Sequence, residues 1–77
     1  MSKLPRELSG KELLRILCND FGFTLERIKG DHAFISKQDG ERERTSVVPL
    51  HTALALGTLK AILRQTNISR SEFLKRR

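Results

Sequence analysis

Few side chains in this 77-residue sequence can move protons near neutral pH: two histidines, His32 and His51, and one cysteine, Cys18. Imidazole ordinarily titrates where one group can accept a proton and then donate it, as general acid–base catalysis requires. His32 follows Gly30-Asp31, a dipeptide that signals a tight hairpin, and Lys29 stands on the other side of that turn. If the loop is a two-residue type II′ turn, Lys29 and His32 lie directly opposite each other with their side chains on one face. The ammonium of Lys29 and the carboxylate of Asp31 would then bias the imidazole in opposite senses, and the sequence leaves that balance open. His51 ends the stretch Pro49-Leu50-His51, where it would serve equally as a cap, a phosphate contact or an exposed side chain.

Other chemistries lack their residues. Two histidines and one cysteine make no spaced zinc motif, so no metal or other cofactor is expected. The phosphate-cradling G-x-x-x-x-G-K-[ST] and G-x-G-x-x-G loops are absent, and no Ser/His/Asp order suggests a triad. Cys18 falls within an apolar helical stripe and reads as a small core residue. A chain this short buries only about 60% of its unfolded surface, which leaves no room for a large enclosed cavity. Chemistry on an open surface favours a polymer substrate over a small metabolite.

Charge points the same way. Lys and Arg number 15 against 9 Asp and Glu, a net charge of +6 that suits a polyanion such as RNA or DNA. Residues 56–77 carry six of the basic side chains and one acidic one, so five of the six net charges lie in the last third of the chain. Trp and Tyr are absent and Phe occurs four times, which argues against an aromatic base-stacking platform. No apolar run is long enough to cross a bilayer, no signal-peptide pattern opens the chain, and a lone cysteine forms no internal disulfide, so a cytoplasmic location is expected.

The elements that must position these groups are readable as α-β-β-β-α-α in one domain over 1–77. Ser9-Gly10-Lys11-Glu12 has capping-box spacing, Leu13, Leu14, Leu17, Cys18 and Phe21 recur at helical spacing, and Gly22 stops the run. Strands are expected near 23–29, 32–38 and 42–48, separated by Gly30-Asp31 and Asp39-Gly40, with Pro49 closing the third. Leu59, Ile62 and Leu63 after Gly57-Thr58 mark a second helix, and Ser69-Arg70-Ser71-Glu72 starts a short third. The fold class is α+β, a three-stranded antiparallel sheet with its helices on one face.

Register decides which side chains join His32. A strict two-residue Asp39-Gly40 turn pairs Ile35 with Arg44 and mixes charged and apolar residues on both faces. One extra loop residue instead pairs Ala33 with Val47 and Ile35 with Thr45, and aligns Arg27, Lys29, His32 and Arg44. That register is favoured because it alone collects the cations. Phe34 shares parity with His32, so a bulge or partial exposure is required there.

The stretches "SGKELLRIL", "GFTLERIKGDHAFI", "VVPLH" and "GTLKAILRQTNISRSEFL" together resemble, in order and spacing over about residues 8–75, the HicA toxins of prokaryotic type II toxin–antitoxin systems. The resemblance implies a double-stranded-RNA-binding-domain-like fold, mRNA-cleaving endoribonuclease activity and neutralisation by a cognate HicB antitoxin. The family's catalytic histidine lies in a Gly-Ser-His hairpin motif that maps onto Gly30-Asp31-His32, with Asp31 in place of the usual serine. His32 would be the acid/base. From charge and placement, Lys29, Arg27 or Arg44 would stabilise phosphoryl oxygens. Lys60, Arg64, Arg70, Lys75, Arg76 and Arg77 would hold the RNA backbone without reading its sequence. Two other classes fit the same composition: a non-catalytic RNA-binding module, and a DNA-binding protein in which the last two helices enter a groove.

Overall fold

A computed structural model describes residues 8–76, in the order α1 (Gly10–Asp20), β1 (Thr24–Lys29), β2 (His32–Asp39), β3 (Arg42–Pro49), α2 (Leu56–Gln65) and α3 (Arg70–Lys75). The sheet is antiparallel in the order β1-β2-β3, and α1 and α2 pack against β3. This is the α+β, double-stranded-RNA-binding-domain-like architecture expected from the element pattern and the family resemblance.

Local chemistry explains where each helix starts and stops. Ser9 Oγ accepts from the Glu12 N–H at 3.0 Å while the Ser9 N–H donates to Glu12 Oε1 at 3.2 Å, so the capping box of α1 is complete. In α3 the Ser69 hydroxyl accepts from the Glu72 N–H at 3.1 Å. α2 begins at Leu56, ahead of the expected Gly57-Thr58, and Ala55 caps it without a side-chain bond. It ends before Asn67, whose φ of +59° is left-handed. Leu13 and Leu17 from α1, Leu59, Ile62 and Leu63 from α2 and Phe73 from α3 are buried against Ala33, Ile35 and Val48 of the sheet.

The hairpins carry the main correction. Gly30 has φ +61° and Asp31 does not share that sign, the signature of a type II′ loop, and Lys29 pairs with His32 as expected. The second loop follows the same rule: Gly40, with φ +66°, is its first central residue, so the loop is Gly40-Glu41 and Asp39 pairs with Arg42. Both registers considered from the sequence placed Asp39 inside the turn, and both are overturned. Ala33 pairs with Val48, Ile35 with Ser46 and Lys37 with Arg44.

Parity now sorts the faces. Ala33, Ile35, Ser46 and Val48 are buried under the helices, while His32, Phe34, Thr45 and Val47 look the other way. A bulge between Leu25 and Arg27 leaves Glu26 as the extra residue, its carboxylate accepting from the Ser36 hydroxyl. The bulge puts Arg27 and Lys29 on the outer face with His32 and keeps Leu25 and Ile28 on the helix side. On β1 the helix-side residues Leu25 and Ile28 stay 41% and 52% exposed.

α1 sits so close to the end of β3 that a Cβ on Gly10 would lie 1.9 Å from the Pro49 carbonyl oxygen, and the Gly10 N–H donates to the His51 carbonyl at 2.9 Å. Both neighbours are backbone and cannot swing away. Gly10→Ala should therefore destabilise the fold by about 1–3 kcal/mol despite its better helix propensity. Denaturant melting checks this, and an unchanged or higher midpoint would contradict the close approach.

Candidate functional site

The first hairpin turn is clamped to the chain that leaves β3. Pairing of His32 with Pro49 brings residues 50 and 51 alongside the turn, and the Leu50 N–H donates to the Asp31 carbonyl at 2.6 Å. The Asp31 side chain completes the clamp. Its Oδ1 lies 2.8 Å from His32 Nδ1, and its Oδ2 lies 3.1 Å from His51 Nε2. One carboxylate thus holds both imidazoles, on side chains that are 50%, 58% and 56% exposed for His32, Asp31 and His51.

The electrostatics fix the tautomers. Slight desolvation pushes the Asp31 carboxyl up, but His32, the backbone hydrogen bond of its own residue and His51 together outweigh it and leave the group below its ordinary value. At neutral pH Asp31 is therefore ionised and can only accept, so His32 carries a proton on Nδ1 and His51 carries one on Nε2. The remaining nitrogen of each ring, Nε2 of His32 and Nδ1 of His51, is left to give or take a proton. This is the orienting arrangement that general-base catalysis needs: a base whose far nitrogen is held by a carboxylate.

A match to the family model described as the HicA toxin of bacterial toxin–antitoxin systems covers residues 10–68. The chain belongs to the HicA toxin family. It is thus a toxin-family protein of a toxin–antitoxin system, for which an antitoxin partner is implied. A search of curated proteins gave no match. The matched span includes the turn, both histidines and α2, and stops before α3.

On this HicA-family fold the expected site residues divide. Gly30, Asp31 and His32 form the turn, and Lys29 stands opposite His32 on the same face. Arg27 is one pair further along that face, its guanidinium 4.6 Å from the centre of the half-buried Phe34 ring, a cation–π contact. Arg44 is not with them. The corrected register turns it to the helix side of the sheet, where it pairs with Lys37 and lies 3.4 Å from Asp39. Lys60 and Arg64 belong to the helical layer and share a cleft with Arg70 that none of Asp31, His32 or His51 lines. Lys75 and Arg76 line another with Glu72. Arg77 lies outside the described residues.

His51 is the residue that sequence reasoning left without a role. The signal existed: glycine must take the first place in a type II′ loop, which sets the β2–β3 register and with it the approach of residue 51 to residue 31. Cys18 is half-buried on α1, and burial pushes its thiol up, as fits a packing residue. No helix of the described residues is long and apolar enough to cross a membrane.

Because the Asp31 carboxyl is held below its unfolded value, its contribution to stability is present above the ordinary carboxylate range, and is lost as pH falls through the lowered folded value. Removing one imidazole weakens the cause. Carbon-13 NMR titration of Asp31 should show a higher midpoint in His51→Ala than in the wild type; identical midpoints would mean that the His51 contact does not form in solution.

Proposed function

We propose that this protein is the toxin of its system through metal-independent endoribonuclease action on mRNA, with His32 as the general base. The observation that carries the reading is the half-exposed imidazole of His32, oriented through Nδ1 by Asp31 and set opposite Lys29 on the sheet face opposite the buried side chains. The family's toxin role supplies the biological frame.

The chemistry needs these side chains, the substrate and solvent water. His32 Nε2 takes the proton of a ribose 2′-OH, whose oxygen attacks the adjacent phosphorus. The P–O5′ bond breaks and O5′ takes a proton from water, leaving a 2′,3′-cyclic phosphate and a 5′-OH end, while His32 gives its proton back to solvent. General acid–base assistance is worth roughly 10²- to 10⁴-fold, or about 3–5 kcal/mol of barrier. Lys29 and Arg27, on the same face, offset charge on the phosphoryl oxygens. Lys60, Arg64 and Arg70 offer sequence-independent contact to the backbone. Arg44, turned to the other face, has no part in the proton-transfer site.

A HicB-like antitoxin would neutralise the toxin by covering His32 and the basic surface, and an acidic partner surface would complement the net charge of +6. Such a pair would act in the cytoplasm, where mRNA is translated.

Purified protein should cleave a labelled transcript in EDTA, and His32→Ala should slow cleavage by roughly 10²- to 10⁴-fold while RNA binding persists. Binding without cleavage by the wild type would replace the enzyme with a non-catalytic RNA-binding module. Preference for duplex DNA over RNA at one stated salt concentration would favour a DNA-binding protein instead. Expression alone should arrest growth, and co-expression of the neighbouring antitoxin gene should restore it.

A further inference from the structure

His51 has a geometry that the single-base reaction does not use. It is as exposed as His32, is tied to the same carboxylate through the opposite oxygen, and keeps its Nδ1 free. Its backbone is pinned twice over: its carbonyl accepts from the Gly10 N–H, and the preceding Leu50 N–H donates to Asp31. The backbone that carries the ring is therefore held by α1 and by the first hairpin. The two imidazoles hang from the two oxygens of one carboxylate, so both rings border the same small patch of open surface.

We propose that His51 is a second catalytic residue, the general acid that protonates the departing 5′-oxygen while His32 removes the 2′-proton. This rests on the ribonuclease reading and deepens it. In the forward step the 2′-OH proton passes to His32 Nε2, the O2′–P bond forms, the P–O5′ bond breaks, and the proton on His51 Nδ1 passes to O5′. The reaction thus starts from neutral His32 and protonated His51 and ends with the charges exchanged; both rings, about half exposed, then re-equilibrate with water. No oxidant, metal or further reactant enters the balance. Asp31 acts as the positioning residue for both rings, since it accepts from the nitrogen of each that does not meet substrate. The carboxylate that replaces the family's usual serine thereby gains a role.

The test compares the full-length protein on two forms of one oligoribonucleotide, with either the natural 5′-oxygen or a bridging 5′-sulfur at the cleaved bond. A thiolate leaves without a proton, because thiols ordinarily ionise near pH 8.5, whereas an alkoxide does not. His51→Gln keeps an N–H able to donate to Asp31 but cannot transfer a proton, so the turn clamp is preserved, and circular dichroism verifies folding. His51→Gln should be about 10²- to 10⁴-fold slower than wild type on the 5′-oxygen substrate. It should come within about tenfold of wild type on the 5′-sulfur substrate, while His32→Ala stays slow on both. A His51→Gln variant as fast as wild type on the oxygen substrate, or equally slow on both, overturns the assignment and leaves the ribonuclease reading standing. Rescue of His32→Ala by sulfur in place of His51→Gln also overturns it. A wild type that cleaves neither substrate overturns both readings.

Discussion

A two-residue hairpin loop of the type II′ kind has one position with positive φ, its first, and glycine occupies it without steric cost. Gly30 and Gly40 take that position in the two loops, and through them every cross-strand pair in the sheet is set. The consequences reach well beyond the turns. Shifting the second loop by one residue would send Arg44 to the outer face and move Pro49 away from His32, which would separate His51 from Asp31. The same constraint explains why the bulge at Glu26 is needed. Without it Leu25 would leave the helix side of β1, and Glu26 would take its place opposite Ile35.

The site is then held by backbone more than by its own ion pairs. Exposed ion pairs contribute little to stability, and Asp31, His32 and His51 are all about half exposed. Their rings stay together because Asp31 and Leu50 share a main-chain hydrogen bond and because α1 begins on the His51 carbonyl. Gly10 permits that start, since any side chain there would meet the Pro49 carbonyl. A capping box, a glycine with no Cβ and a tight turn thus converge on one small patch. The core formed by Leu13, Leu17, Val48 and Leu59 fixes the frame behind it.

An open site suits a chain of this size. Its outer sheet face bears Arg27, Lys29 and His32, on the side opposite the buried side chains. The helical layer carries Lys60, Arg64 and Arg70 in a separate basic cleft. Positive charge on both layers favours a long polyanion, which can touch several surfaces at once, over a ligand that must be enclosed.

Much of this was legible before any coordinates. Helical spacing, two S-x-x-E starts and two glycine turns gave the element order, and the first hairpin placed Lys29 opposite His32, because local rules decide local geometry. The second hairpin departs from the expected register, because a type II′ loop takes glycine first whichever cations that leaves on a face. That one-residue difference decides both the face of Arg44 and the approach of His51. The sequence by itself determined the elements, the basic charge and a histidine held at a tight turn, for these depend on neighbours a few residues apart. Only the tertiary structure decided that Asp31 bridges His32 and His51, because that contact spans 20 residues of chain and exists only once the third strand ends beside the first turn, with α1 packed against its exit.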